Sequence, residues 1–220
     1  MANETIIHGC RTTKIYCRPD CPPGRRTKAE NRVYFQSVEE ARASGYRACK
    51  VCRPDEEPET LFLDRYNSPL GTYILISSQK GVCYLTPEDE EDYFARWQRS
   101  GARFQESEEY SRLVIAELDA YFAGQLRRFT VPIDLRGTDF QRSVWEILCG
   151  IPYGETRSYS QVAYAVDRPN GPRAVGQAIG RNPISIIIPC HRVIGSNGGL
   201  TGYGGGLPRK RALLELEKAL

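Results

Sequence analysis

Four cysteines in two close pairs, Cys17-x3-Cys21 and Cys49-x2-Cys52, are separated by 27 residues that include few large apolar side chains. The unit of about 55 residues that holds them has few large apolar side chains and can hardly fold unaided. Two close pairs closing one long loop let four thiolates converge on a tetrahedral zinc, and the metal then supplies the folding free energy that the core lacks. Disulfides are the competing use of the same thiols. His8 and Cys10 precede the cluster as alternative donors, but the two pairs already complete a tetrahedron.

The compartment separates these uses. The start, "MANETIIHGC", has neither a basic nor an apolar leader region, and no stretch reaches the ~20 apolar residues that cross a bilayer. The reading is a cytoplasmic protein, where eight cysteines serve as metal ligands, nucleophiles or core filler rather than as a disulfide framework. The net charge of +3 divides unevenly, as +2 over residues 1–60, −3 over 61–136 and +4 over 137–220. Positive ends suit a polyanion, although solvated faces carry imbalances of this size too.

Acidic and proline residues at Asp55, Glu56, Glu57, Pro58 and Glu59 read as a linker. Beyond it, "NSPLGTYILISSQKGVCYL" predicts two strands around the turn Ser77–Gly81, with Cys83 in the core. In "EYSRLVIAELDAYFAGQ" the apolar spacing predicts a helix closed by Gly124. A further helix in "TDFQRSVWEILCGIP" puts Phe140, Val144 and Leu148 on one face, and Cys149 also reads as core. Ser158 caps a helix over "YSQVAYAV", and Pro172 opens another over "PRAVGQAIGRNP". Joined by "DRPNG", they form a helix-turn-helix candidate. In the second of them Ala174, Gly176, Ala178 and Gly180 leave little bulk between Arg173 and Arg181, so its backbone could approach a nucleic-acid groove closely. Tight helix packing is the other use of such small residues.

The run "IIIPCHRVI" places Cys190 beside His191, one of only two histidines, at the end of a strand-like apolar stretch. A free thiol ionises near pH 8.5 and needs a base or a positive field to become a strong nucleophile at neutral pH. Neighbours on an extended strand point to opposite faces, so contact between thiol and imidazole requires a tight turn or a bridging water. The C-terminal helix "PRKRALLELEKAL" offers Glu215 and Glu217 to orient the imidazole.

Taken together, "FQRSVWEIL", "IPYGETRSYSQVA", "GPRAVGQAIGRNP", "IIIPCHRVIG" and "LTGYGGGLPRKRALLELE" resemble the O6-alkylguanine-DNA alkyltransferase family. "RTTKIYCRPDC" and "GYRACKVCRPD" resemble the zinc-binding methylphosphotriester-repair domain found in Ada-type proteins. The AraC-type domain that Ada carries between these parts is missing, which puts the gene-activating role in doubt. The resemblance implies an α/β (α+β) architecture in three parts. Residues 1–58 form the zinc domain, 61–136 a ribonuclease-H-like sheet subdomain, and 137–220 a helical, helix-turn-helix subdomain bearing the acceptor.

The implied activity is a single-turnover methylated-DNA–[protein]-cysteine S-methyltransferase acting on double-stranded DNA. Cys190 takes alkyl groups from O6-alkylguanine and O4-methylthymine; His191 removes its proton through a water, Glu217 orients His191 and Asn182 braces the turn. Tyr203 hydrogen-bonds the departing base, while Gly204 stands where relatives often carry serine. On the DNA side, Tyr159 rotates the nucleotide, Arg173 fills the gap, and Ala174 and Gly176 line the groove-facing surface. One Zn2+ is held by Cys17, Cys21, Cys49 and Cys52, with Cys17 also taking methyl groups from phosphotriesters. The family also implies a nucleoid-associated monomer. A methylation-sensitive DNA-binding regulator is the alternative function.

Overall fold

A computed structural model describes residues 7–19, 21–89 and 102–220. The chain divides into two units, the first running to Thr60 and taking in, of the described residues, 102–104, the second built from the rest.

In the first unit, β1 (Ile7–Cys10), β2 (Ile15–Cys17), β3 (Arg32–Phe35) and β4 (Arg47–Ala48) form a sheet of order β3-β1-β2-β4. Two short helices, α1 (Pro22–Arg25) and α2 (Val38–Ala43), accompany it among the described residues. Its apolar core is small: Ile7, Tyr16, Phe35, Ala41 and Tyr46. Residues read as linker partly belong to this fold, because Asp55 accepts a hydrogen bond from Tyr16 and pairs with Arg42 at 2.8 Å.

A second sheet has the order β7-β6-β5-β8, from β5 (Thr60–Ser68), β6 (Gly71–Ser78), β7 (Gly81–Pro87) and β8 (Arg103–Gln105); all of β6 and β7 and all but the first residue of β5 belong to the second unit. The predicted pair of strands is thus β6 and β7, with β5 as an additional antiparallel neighbour of β6. Gly81 is obligatory where it stands: φ is +140°, and a Cβ would lie 2.2 Å from the Pro132 carbonyl oxygen.

Then come α3 (Glu108–Phe122), α4 (Asp139–Cys149), α5 (Tyr159–Ala165), α6 (Pro172–Ile179) and α7 (Leu207–Leu216), with β9 (Arg157–Ser158) parallel to β10 (Val193–Ile194). Capping boxes start two of the helices, Thr138 with Gln141 at α4 and Ser158 with Gln161 at α5. On α4 the buried stripe is Val144, Trp145 and Leu148, and Trp145 Nε1 donates to the Ala178 carbonyl at 2.8 Å, locking α4 onto α6. Cys149, expected in the core, is exposed. As the last residue of α4 it lies about 100° around the helix from Leu148, off the buried stripe.

The run before Cys190 is not a strand. Ile184 makes one isolated bridge to Leu85, after which the chain turns, with Ile186 at φ +71°. Cys190–Arg192 then forms a single 3-10 turn. Among the described residues no helix is long and apolar enough to cross a membrane.

Candidate active site and metal centre

The turn is built around one amide. Asn182 Nδ2 donates to the Ile188 carbonyl at 2.8 Å and to Cys190 Sγ at 3.0 Å, while its Oδ1 accepts from Ile184 N at 3.0 Å. One buried side chain thereby satisfies a backbone that neither helix nor sheet serves, and it fixes the sulfur in the same act.

His191 is completely buried beside Cys190, with Nε2 2.9 Å from Glu217 Oε1. Glu217 is the C-cap of α7 and gathers further donors: Tyr121 Oη at 2.7 Å, Arg192 Nη2 and Nε at 2.8 Å each, and Gly154 N at 3.4 Å. Burial by itself raises the Glu217 pKa, but donation from His191 and Arg192 prevails and holds it at about 2. An ionised carboxylate only accepts, so His191 Nε2 carries the proton shared with it. Burial drives the His191 pKa down against the pull of Glu217, which keeps the imidazole neutral with Nδ1 as its basic atom. That Nδ1 is buried and has no hydrogen-bond partner among the described residues. Glu215, the other acid offered by the helix, points to solvent beside Arg211 at 4.0 Å.

The structure adds residues that sequence reasoning left out. Arg192 stands inside the motif "IIIPCHRVI" with no role assigned to it from sequence; it is buried, donating also to the Ile151 carbonyl at 2.6 Å. Tyr121 reads as helix core, and its phenol reaches Glu217 across 96 residues of sequence. Lys210 lies between Arg209 and Arg211 in sequence, yet it is fully buried, with Nζ donating to the carbonyls of Val193 at 2.5 Å and Thr201 at 2.7 Å. Burial lowers its pKa to about 8.

The remaining predicted residues flank this cluster. Tyr159 Oη donates to the Thr201 and Gly202 carbonyls, at 3.1 Å each, joining the start of α5 to the glycine-rich loop. Tyr203 in that loop packs against the main core, and Gly204 is exposed. On α6, Val175, Ala178 and Ile179 are buried, while Arg173 and Ala174 are exposed. A Cβ on Gly176 would sit 3.7 Å from the Tyr159 ring, so the small residue keeps this surface flush with the tyrosine.

In the first unit the parallel pairing of Tyr16 with Ala48 sets Cys17 and Cys49 level at the ends of adjacent strands. Cys21 caps α1 and Cys52 follows in the next turn. The donor atoms of Cys17, Cys21, Cys49 and Cys52 all lie within 4.8 Å of one another, and all four residues are buried. The thiol of Cys17 is pushed up by its hydrogen bond with Cys52 and by burial; burial pushes Cys21 to about 12. Four such thiolates cannot coexist without a cation, and an all-sulfur tetrahedral donor set fits one Zn2+. Neither His8 nor Cys10 belongs to this donor group.

Residues 1–55 match the family described as the metal binding domain of Ada. Residues 62–135 match the 6-O-methylguanine DNA methyltransferase ribonuclease-like domain, and 139–219 the DNA binding domain of the same enzymes. A methylated-DNA–protein-cysteine methyltransferase of Mycobacterium bovis is 64% identical over 105 residues, 48% of this chain and 64% of that protein. The chain thus spans just under two thirds of that relative's length. One of Mycobacterium leprae is 49% identical over 154 residues, 69% of this chain and 89% of that protein. The crystal structure of Mycobacterium tuberculosis OGT in complex with DNA superposes with a TM-score of 0.63 at 46% identity, covering 73% of this chain and 93% of that one. The chain belongs to the methylated-DNA–protein-cysteine methyltransferase family, with an Ada-type metal-binding unit preceding the methyltransferase part.

Proposed function

We propose that this protein repairs alkylated double-stranded DNA by irreversible transfer of alkyl groups to its own cysteines, one at each of two sites. The observation that carries the reading is Cys190 held at 3.0 Å by Asn182 beside a neutral imidazole whose partner is an ionised, fully buried carboxylate. Guanine O6 lies inside the base stack, so the damaged nucleotide must first be extruded, at a cost of a few kcal/mol. The exposed Arg173 and Ala174 on α6 meet the DNA, Arg173 fills the gap, and Tyr159 turns the nucleotide outward.

In the transfer, Cys190 Sγ bonds to the alkyl carbon as the carbon–O6 bond breaks, and the electron pair leaves on the guanine. The thiol proton passes through a water to His191 Nδ1, and the guanine takes up a proton in exchange, so alkyl group and proton change places. Tyr203 donates to the departing base. S-alkylcysteine has no proton to lose and no base to regenerate it, so each Cys190 acts once. O4-methylthymine presents the same alkyl–oxygen bond and is a second substrate.

At the other site Cys17 accepts a methyl group from a phosphotriester, the methyl–oxygen bond breaking to leave an ordinary phosphodiester. Bound zinc keeps the cysteine sulfurs deprotonated at neutral pH. The protein acts as a monomer, the lesion being enclosed by one chain. The test is methyl counting: the zinc-loaded chain is incubated with DNA bearing either O6-methylguanine or methylphosphotriesters, and modified cysteines are located by peptide mass. Methyl on Cys190 from the first and Cys17 from the second is expected; transfer to neither would overturn the reading.

A further inference from the structure

Lys210 has no part in the steps above, yet it is fully buried on the helix that packs against the Cys190–Arg192 turn. Its Nζ is held by two neutral carbonyls and lies 5.9 Å from the ring centroid of Tyr159. Among the described residues it forms no ion pair with a carboxylate. An ammonium removed from water with only neutral partners is costly unless an opposite charge lies close by.

The charged and titratable groups of the buried cluster that this helix closes are Glu217 at its end, Cys190, His191 and Arg192 on the turn, Tyr159 on α5 and, bonded to Glu217, Tyr121 of α3. The negative charge of Glu217 is already taken by Arg192, which grips both of its oxygens. His191 stays neutral under burial, and burial likewise raises the Tyr121 and Tyr159 phenols, so neither ionises near neutral pH. One group remains. With Cys190 as a thiol the buried cluster carries a net charge of +1; with Cys190 as a thiolate it is neutral. The coupling is direct, since the Cys190 charge pulls the Lys210 pKa upward against burial.

We propose that Lys210 is a positioning residue, the counter-ion that stabilises the Cys190 thiolate, while His191 serves as its proton conduit. The inference rests on Cys190 as the alkyl acceptor. It carries a corollary: alkylation turns the thiolate into a neutral thioether and leaves Lys210 without its counter-charge, so the ammonium becomes easier to deprotonate.

The test uses the zinc-loaded full chain and iodoacetamide, with modification of Cys190 followed by peptide mass as a function of pH. The thiolate midpoint is expected well below the ordinary 8.5. Lys210→Met should raise it by about one pH unit or more, slowing labelling about tenfold at pH values below both midpoints, with equal rates once every variant is fully ionised. Lys210→Arg should restore most of the shift; a purely structural role would not produce this pH signature. An unmoved midpoint in Lys210→Met overturns the proposal. Should that variant fail to fold, NMR titration of Lys210 in the wild-type protein replaces it: its pKa should fall by about one unit on Cys190 alkylation, and no fall overturns the proposal equally. Transfer from O6-methylguanine DNA, measured in parallel, tests the repair reading by itself, because the iodoacetamide midpoint requires no DNA.

Discussion

His191 Nε2 and Glu217 Oε1 meet at 2.9 Å with both side chains wholly excluded from solvent. This contact fixes the imidazole tautomer and leaves Nδ1 as its basic atom. The same carboxylate binds Tyr121 and Arg192, so one residue at the end of α7 ties together α3 and the Cys190–Arg192 turn.

Glu217→Gln should therefore cost more than catalysis. It leaves Arg192 buried without a counter-charge, a situation that typically costs about 3–5 kcal/mol. Urea unfolding of the second unit should report a loss of that order, and Cys190 transfer should fall in whatever folded fraction remains. Unchanged stability would mean that Arg192 finds another partner.

Acid should weaken the same cluster in two stages. The depressed pKa of His191 means that the unfolded chain takes up its proton first, so stability present above about 6.5 declines as pH falls below that value. Glu217, depressed to about 2, adds stability present above its unfolded value near 4.5 and lost as pH falls from there toward 2. Denaturation midpoints measured between pH 8 and 3 should show both declines, and His191→Asn should flatten the first alone.

The two acceptor sites should separate cleanly. Cys190→Ala is expected to abolish base repair while leaving DNA binding and phosphotriester transfer intact, and His191→Ala to slow base repair alone. Both activities falling together in a folded His191→Ala protein would contradict independent sites.

Removal of the metal should unfold the first unit selectively. Among the described residues its apolar core numbers five, too few to stand alone, whereas the second unit has an extensive core of its own. A chelator should abolish phosphotriester transfer and leave the second unit's thermal transition and its Cys190 transfer unchanged. Loss of both transitions would show that the second unit depends on the metal.

On α6, Arg173→Ala should weaken binding to all duplexes and lower the salt slope by about one. Gly176→Ala should fold normally, since its Cβ would meet Tyr159 at an ordinary 3.7 Å, yet it should still weaken DNA binding by adding bulk to the contact surface. Methylating Cys17, which removes one negative charge from the zinc cluster, should tighten non-specific binding at low salt and lose that gain at high salt. Equal affinity before and after methylation would exclude the charge effect.

What the sequence by itself determined is local. The cysteine spacing determined the metal unit because two close pairs and a sparse core leave few other ways to fold. Ser158 and Pro172 marked helix starts because capping and a fixed φ act within one turn. Patterns of this kind could not show that the apolar run before Cys190 bends into a turn, since β-branched residues favour a strand until Asn182 supplies the turn's hydrogen bonds. Nor could they choose Glu217 over Glu215, bury Lys210 from within a basic run, or expose Cys149. Those outcomes depend on groups from α3, α7 and the Cys190–Arg192 turn meeting in one volume without water, where a charge is tolerated only beside its opposite; tertiary packing alone decides which charges meet there.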